Sequence, residues 1–233
     1  MPYLGYAALL LALILSLYAG VAAWVGERRR LPELVLSARN AVLVVAGLLT
    51  LAVAIEIGLL ISGDFRTEYV AQVTNRAMPT FFKVTALWGN QAGSLLFWSW
   101  LMSLFGAAAV LGNWGRMRVL MPYVISVTQI TLFFFLSLIS GGWALLAGPL
   151  SAFGWSEAAE LFRDMRSVNP FHQLGFTPVD GNGLNPLLRH WGMIVHPPVL
   201  YLGFVGFVIP FAFAMGALIT RQASDMWMRV TRR

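Results

Sequence analysis

The chain has 233 residues, of which 58% are hydrophobic and only 11% charged, with a mean hydropathy of +0.72. Soluble globular domains carry roughly a quarter of their residues charged, so this composition excludes that class and describes a membrane protein. The net charge of +6 reports membrane orientation rather than a polyanionic partner, and the absence of cysteine excludes disulfides and thiolate ligands.

A spanning helix needs about 20 mostly apolar residues, and five runs qualify. Residues 1–26, 84–115, 119–155 and 190–220 carry no charge, and residues 40–63 carry only Glu56. The first span, about Tyr3 to Val25, lacks the basic leader of a secretory signal. Its Arg28, Arg29 and Arg30 follow the apolar run, which predicts a retained first helix. Ten of the 16 Lys and Arg lie in residues 27–39, 113–120 and 221–233, which share one side if five helices alternate. The positive-inside rule makes that side cytoplasmic and places the N-terminus and the two longer loops, 63–92 and 142–195, outside. The predicted organisation is a helical membrane domain over residues 1–220 and a basic cytoplasmic tail over 221–233.

The second span, about Ala41 to Ile61, holds Glu56 near its outer end. An intramembrane carboxylate is a functional candidate because burying it charged is costly, but a reach to interfacial water or to Arg66 is the favoured reading. The first outer loop opens with Phe65, Thr67, Tyr69 and Ala71 on one parity, a strand-like pattern. It closes with Trp88-Gly-Asn-Gln-Ala-Gly-Ser-Leu-Leu-Phe-Trp98, in which Ser94 is the expected cap of the third span, about Ser94 to Leu111. Trp88, Trp98 and Trp100 fit an interfacial aromatic belt. A short basic loop at 113–120 then forces a hairpin into the fourth span, about Tyr123 to Ser140.

In the second outer loop, Trp155, Ala158, Ala159, Phe162 and Met165 recur at helical spacing, predicting an amphipathic helix that lies at the outer interface or on the protein. Asn185-Pro186 reads as a cap followed by proline at the first helical position of a short helix running to about Trp191. Pro197-Pro198 fits the first turn of the fifth span, which puts His196 at the entrance of that helix. Gly203 and Gly206 predict close helix packing and Pro210 a kink.

His172, His190 and His196 are the only histidines. Their spacing does not resemble a zinc site, whereas a single neutral imidazole suffices as one axial ligand of haem iron. Covalent c-type attachment of haem to this chain is excluded by the lack of cysteine. A purely structural, hydrogen-bonded His196 stands as the alternative, and His172 and His190 read as loop residues. A transporter would want internal repeats and more polar groups within the spans, of which Glu56 alone is present.

Two stretches resemble the CcmF-type haem lyases of bacterial cytochrome c maturation, within the haem-handling superfamily. Residues 88–98 are similar to W-G-x-H/Q-E-G-S-L-L-x-W, and residues 184–207, running from Leu-Asn-Pro-Leu-Leu through His-Pro-Pro-Val-Leu-Tyr, to L-N-P-L-L-x7-H-P-P-x-L-Y-x-G-Y/F-V-G-F. The resemblance extends from about Asp64 to Met215. It implies an all-α integral membrane protein of about five transmembrane helices with two longer external loops, located in the inner membrane. It also implies a haem lyase subunit, incomplete alone, that takes b-type haem from a haem chaperone and presents it to the CxxCH of apocytochrome c. His196 would be an axial ligand of the haem iron, with Tyr201, Trp191 and Trp88 also binding the haem and no residue acting as acid or base. The implied partners are a C-terminal part bearing a tryptophan-rich motif and the second external histidine, the haem chaperone, apocytochrome c and other maturation subunits, with no nucleic acid. The competing reading is a transporter or scaffold subunit with no haem ligand. Two departures stand out: Ala92 occupies the place of the motif's Glu, and Gln91 that of its His. Residues 142–168 also form a longer connection than the family pattern predicts.

Overall fold

The computed structural model describes residues 1–143, 147–164, 168–222 and 228, without the side chains of 161–164 and 193. Among the described residues five helices are long and apolar enough to cross a membrane. Helix α1 (Pro2–Arg28) and α2 (Pro32–Ser62) form a long antiparallel pair, joined by a tight turn in which Arg30 takes a left-handed conformation (φ 56°). Proline at the start of each helix costs no hydrogen bond there, because the first amides of a helix have no internal acceptor. Helix α2 ends at Gly63, whose φ of 67° is the left-handed C-terminal conformation that glycine adopts without a Cβ clash. Two short helices, α3 (Glu68–Val73) and α4 (Thr80–Thr85), and a 3₁₀ turn over Ala86–Trp88 lead into α5 (Gln91–Asn113). A basic turn connects α5 to α6 (Met121–Ile139).

Small residues let these helices approach closely. Ala8, Leu9 and Ala12 of α1, Leu49 and Val53 of α2, Leu96 of α5 and Leu132 and Leu136 of α6 belong to one buried cluster. Ala19 and Ala23, Ala38 and Val42, Val110, Met121 and Ile125 belong to a second one nearer the basic turns. Within the bundle Ser126 donates to the Gly20 carbonyl at 2.9 Å. At the basic end, the guanidinium of Arg28 lies 5.0 Å over Trp24 and that of Arg39 5.0 Å over Trp114.

The strand expected at residues 65–71 is absent. Thr67 makes one antiparallel bridge to Gln173 and the chain then coils into α3. The apolar residues here are buried by a turn followed by a helix, with Phe65, Tyr69, Val70, Ala71 and Val73 all inside, so parity over four positions mimicked a strand. The loop after α6 holds α7 (Ala147–Ala152) and α8 (Ser156–Asp164), the latter in the predicted amphipathic region. Ala159 is its buried contact, while Met165 and Arg166 lie outside the described residues, as does most of the 221–233 tail.

The fifth span is two helices, α9 (Trp191–Gly206) and α10 (Val208–Thr220). The break at Phe207 falls where Pro210 withholds the amide that would bond the Gly206 carbonyl, so the predicted kink forms one turn before the proline. Helix α10 buries Ala212, Phe213, Gly216 and Ala217, whereas Val205 is the only one of the α9 residues with described side chains that is fully inside. At Gly203 and Gly206 no atom of this chain lies within 4 Å of where a Cβ would stand, so the close packing expected of them does not occur within the described residues.

Candidate functional site

The two longer loops knit into a cap over the end of the bundle. The Glu68 amide donates to the His172 carbonyl (2.9 Å), Leu174 to Arg66 (2.8 Å), Asn182 to Ala71 (2.8 Å) and Gly183 to Thr74 (3.1 Å). Two carboxylates pin its edges. Arg66 binds both oxygens of Asp64 at 2.8 Å, and these bonds hold the Asp64 carboxyl below the usual carboxylate range. Asp180 accepts from the backbone amides of Arg76 (2.9 Å) and Gly181 (2.8 Å), which lower it likewise. Tyr69 is fully enclosed. Burial first, and the nearby Glu56 second, push its phenol well above the ordinary range, so it acts as a donor, to the Ala86 carbonyl at 2.7 Å.

Beneath this cap lies the turn at residues 88–98. Helix α5 starts three residues earlier than expected, at Gln91, and its cap is Asn90, whose side chain accepts from the Gln91 amide. Ser94 is inside the helix, donating to the Trp88 carbonyl (3.2 Å) and meeting the Tyr201 hydroxyl at 3.3 Å. Each of the three tryptophans is half-buried against protein. Trp88 packs on Phe97 (5.6 Å), Trp98 on Tyr201 (5.2 Å), and Trp100 donates from Nε1 to Thr50 Oγ1 at 2.9 Å.

Asn185 caps a 3₁₀ turn, Pro186–Arg189, by accepting from the Leu187 amide, as the Asn-Pro pair predicts. The next helix begins at Trp191, six residues before the first proline of the Pro-Pro pair. Its cap is His190, whose Nδ1 accepts from the Gly192 amide at 3.1 Å. His190 is therefore a structural cap rather than a simple loop residue. Histidine is not among the usual caps, so nothing in the sequence marked it. Pro197 and Pro198 are consequently the seventh and eighth residues of α9, where they leave the carbonyls of residues 193 and 194 without their helical donors. His196 is in the second turn, not at the entrance.

This geometry separates the expected site residues into two faces of α9. His196 is exposed, and no hydrogen bond or ion pair engages its ring among the described residues. One turn onward on its flank lie exposed Val199 and Leu200, then Gly203 with open space above it. An unengaged imidazole beside a flat apolar patch fits one axial ligand to a macrocycle lying on that face, with the opposite ligand coming from elsewhere. Tyr201 points the other way, its ring 6.1 Å from Phe97 and 5.2 Å from Trp98, so it rivets α9 to α5. Trp88 is on that side too, lining a narrow cleft with Leu184, Leu188 and Pro197. Trp191 is 72% exposed, its ring 5.8 Å from that of His190. His172 is remote from these, 3.8 Å from Glu68 at the rim of a pocket with Tyr3, Tyr6 and Phe171. Among the described residues no group of three His, Asp or Glu is placed to hold a metal ion.

Glu56 reaches neither interfacial water nor Arg66. It is 0% exposed, Arg66 is committed to Asp64, and neither carboxyl oxygen has a hydrogen-bond partner among the described residues.

Residues 88–232 match the cytochrome c assembly protein family. Over 99% of its length the chain is 35% identical to the cytochrome c-type biogenesis protein CcmF of Pseudomonas aeruginosa, and over its whole length 35% identical to NrfE of Haemophilus influenzae and 32% to CcmF of Escherichia coli. It spans about one third of each of these relatives, 32%, 33% and 32% respectively. A solved cytochrome c haem lyase CcmF has the same fold over 99% of this chain and 32% of its own, with a TM-score of 0.73 at 24% identity.

Proposed function

The chain belongs to the cytochrome c assembly protein family, and from that premise we propose that it is a haem-positioning part of the membrane haem lyase of cytochrome c maturation. The observation that carries the reading is His196, a free imidazole held on the open apolar face of α9 while Tyr201 and the aromatic residues of α5 lock the opposite face. His196 supplies one axial ligand to the iron of a b-type haem. The second ligand comes from the part of the family-length protein that lies beyond the aligned third. Trp191, exposed on the same helix, shelters the edge of the haem, and Trp88 and Tyr201 fix the helix that carries the ligand.

Haem is here a substrate, received from a haem chaperone and offered to apocytochrome c. There the CxxCH thiols add across its vinyl groups to form thioethers, and the remaining maturation subunits assemble around this exchange. The chain's contribution is to bind and orient, since no residue of the site is set up as an acid, base or nucleophile. The distribution of Lys and Arg supports placing the outer loops and the N-terminus on the external face of the inner membrane, with the basic turns and the tail in the cytoplasm.

The test is the absorption spectrum of haem retained by this chain co-expressed with the remaining two thirds of a family-length relative, compared with His196→Ala. Loss of the bis-histidine spectrum and of cytochrome c maturation in the variant is the expected result. An unchanged spectrum would return His196 to a structural role in a transporter or scaffold subunit.

A further inference from the structure

The function proposed above makes no use of the basic end of the bundle. Arg28, Arg29 and Arg30 lie at the end of α1, Arg39 stands about two turns into α2, and Arg116 and Arg118 sit in the turn between α5 and α6. Glu27 and Glu33 flank the α1–α2 turn, but among the described residues neither pairs with any of these arginines. The two ion contacts there, Arg66 with Asp64 and His172 with Glu68, both belong to the opposite end. Water serves the exposed arginines, but Arg39 is half-buried and its Nε is enclosed without a hydrogen-bond partner. A cation partly withdrawn from water is costly unless it is paired.

The geometry around Arg39 indicates what would pair it. Its guanidinium lies 5.0 Å over the Trp114 ring, at the end of α5. Stacking on an indole fixes the guanidinium while leaving its N–H groups unspent, and a planar fork of that kind grips the oxygens of a phosphate two at a time. Arg116 and Arg118, both exposed, follow Trp114 by two and four residues and add charge beside the fork. The surroundings select the carrier of the phosphate. One turn deeper on α2 is half-buried Leu43, and one turn deeper on α5 is Leu111, which is 59% exposed. At Gly47, a further turn along α2, open space stands where a Cβ would be. The path leading from the fork is therefore apolar and runs along two spanning helices. A soluble phosphate gains nothing from it, whereas the acyl chain of a phospholipid lies along it. Trp114, and Trp24 edge-on to Tyr123 at 5.4 Å, mark the same end as the headgroup level.

We propose that Arg39, Arg116 and Arg118 hold the phosphate of an anionic phospholipid at the seam of α2 and α5. Trp114 is the platform that orients the Arg39 fork, and Leu43, Gly47 and Leu111 bed an acyl chain. The bound lipid fastens α2 to the turn between α5 and α6 and so stabilises the fold. The site is at the opposite end of the bundle from His196 and stands independently of the haem reading.

The experiment is thermal unfolding of the full chain in a neutral detergent, titrated separately with dioleoyl phosphatidylglycerol, dioleoyl phosphatidylcholine and inorganic phosphate. Phosphatidylglycerol should raise the unfolding temperature saturably, and the other two probes should leave it unmoved. Arg39→Gln should raise the half-saturating concentration of phosphatidylglycerol about tenfold, the loss of one membrane-surface charge together with its stack. Arg39→Lys keeps the charge but lacks the planar fork, and should raise it about threefold. Trp114→Leu leaves every arginine in place and should also weaken binding about threefold, each variant being compared with its own lipid-free unfolding temperature. Arg76→Gln removes an equal charge from the opposite end and should leave the titration unchanged. An equal response to the two lipids, an Arg39→Lys titration that overlays the wild type, or as large a loss in Arg76→Gln as in Arg39→Gln would each mean diffuse attraction between charged surfaces and overturn the proposal. A shift produced by inorganic phosphate alone would overturn it in favour of a free-anion site.

Discussion

Gly93→Ala probes the packing on which the turn at residues 88–98 depends. A Cβ at this position meets two atoms at once, the backbone carbonyl oxygen of Leu87 and the hydroxyl of Tyr69. The carbonyl belongs to the 3₁₀ turn that leads into α5, so it moves only with the backbone. The hydroxyl is committed to the Ala86 carbonyl at 2.7 Å and also donates toward Leu87 at 3.1 Å in an enclosed site. Overpacking one methyl into a filled core costs about 1–3 kcal/mol. Dislodging the phenol leaves a buried donor unpaired, a further penalty of about 1–3 kcal/mol. A total of about 2–6 kcal/mol corresponds to a fall in unfolding temperature of roughly 5–20 °C for a chain of this size, read by thermal unfolding in detergent. Tyr69→Phe alone removes one hydrogen bond and costs about 1 kcal/mol. Because it also clears one of the two clashes, the double variant should be less destabilised than the two single effects added together. A Gly93→Ala protein that unfolds within about 0.5 kcal/mol of the wild type would refute the packing described here.

Asn90→Ala removes the α5 cap and its link to Gln72, and should cost about 1 kcal/mol in the same assay. The cap over the bundle should loosen in acid. Asp64 and Asp180 both have depressed carboxyl pKa values in the folded state, so their stabilisation is complete above the unfolded value near ~4 and is lost as pH falls through the folded value. Hydrogen exchange at the Arg76 amide reports this, and Asp180→Ala should give the acid-like exchange rate already at neutral pH. Because the chain has no cysteine, single-cysteine labelling gives a clean topology test. Arg29→Cys should react with an impermeant reagent only after the membrane is opened and Val179→Cys in intact cells, and the reverse pattern would invert the proposed orientation.

The five spans were legible because charge-free apolar length is a one-dimensional property that the bilayer reads directly. The Pro210 break and the Asn185 cap were legible for a similar reason, since each follows from the chemistry of one residue and its neighbours. What escaped depends on distant partners. The start of α9 is set by His190 reaching back to an amide, which let the helix absorb two prolines that otherwise read as its beginning. The apparent strand at Phe65 to Ala71 is a turn followed by α3, and the one bridge it makes among the described residues, Thr67 to Gln173, pairs it with a segment more than a hundred residues away. Glu56 was expected to reach interfacial water or a partner such as Arg66, but it is fully buried, and Asp64, two residues from Arg66, takes its Nε and Nη2. His196 is the mixed case. The motif singled it out, but which face of the helix it occupies, and that Tyr201 and Trp88 stand on the opposite one, followed only from how α9 lies against α5.

The discontinuity at Phe207 has a mechanical meaning. Below it, α10 is wedged against α6 through Ala212, Phe213 and Ala217, whereas above it α9 is held chiefly by the Trp98 and Tyr201 contacts. His196 is eleven residues up from the break, at the end of an arm roughly 16 Å long, so a tilt of about 10° about Phe207 carries the imidazole through about 3 Å. For the haem ligation proposed above, a displacement of that size is the difference between a coordinate bond and no bond, so the Tyr201 and Trp98 contacts that hold α9 are also what hold the imidazole in place.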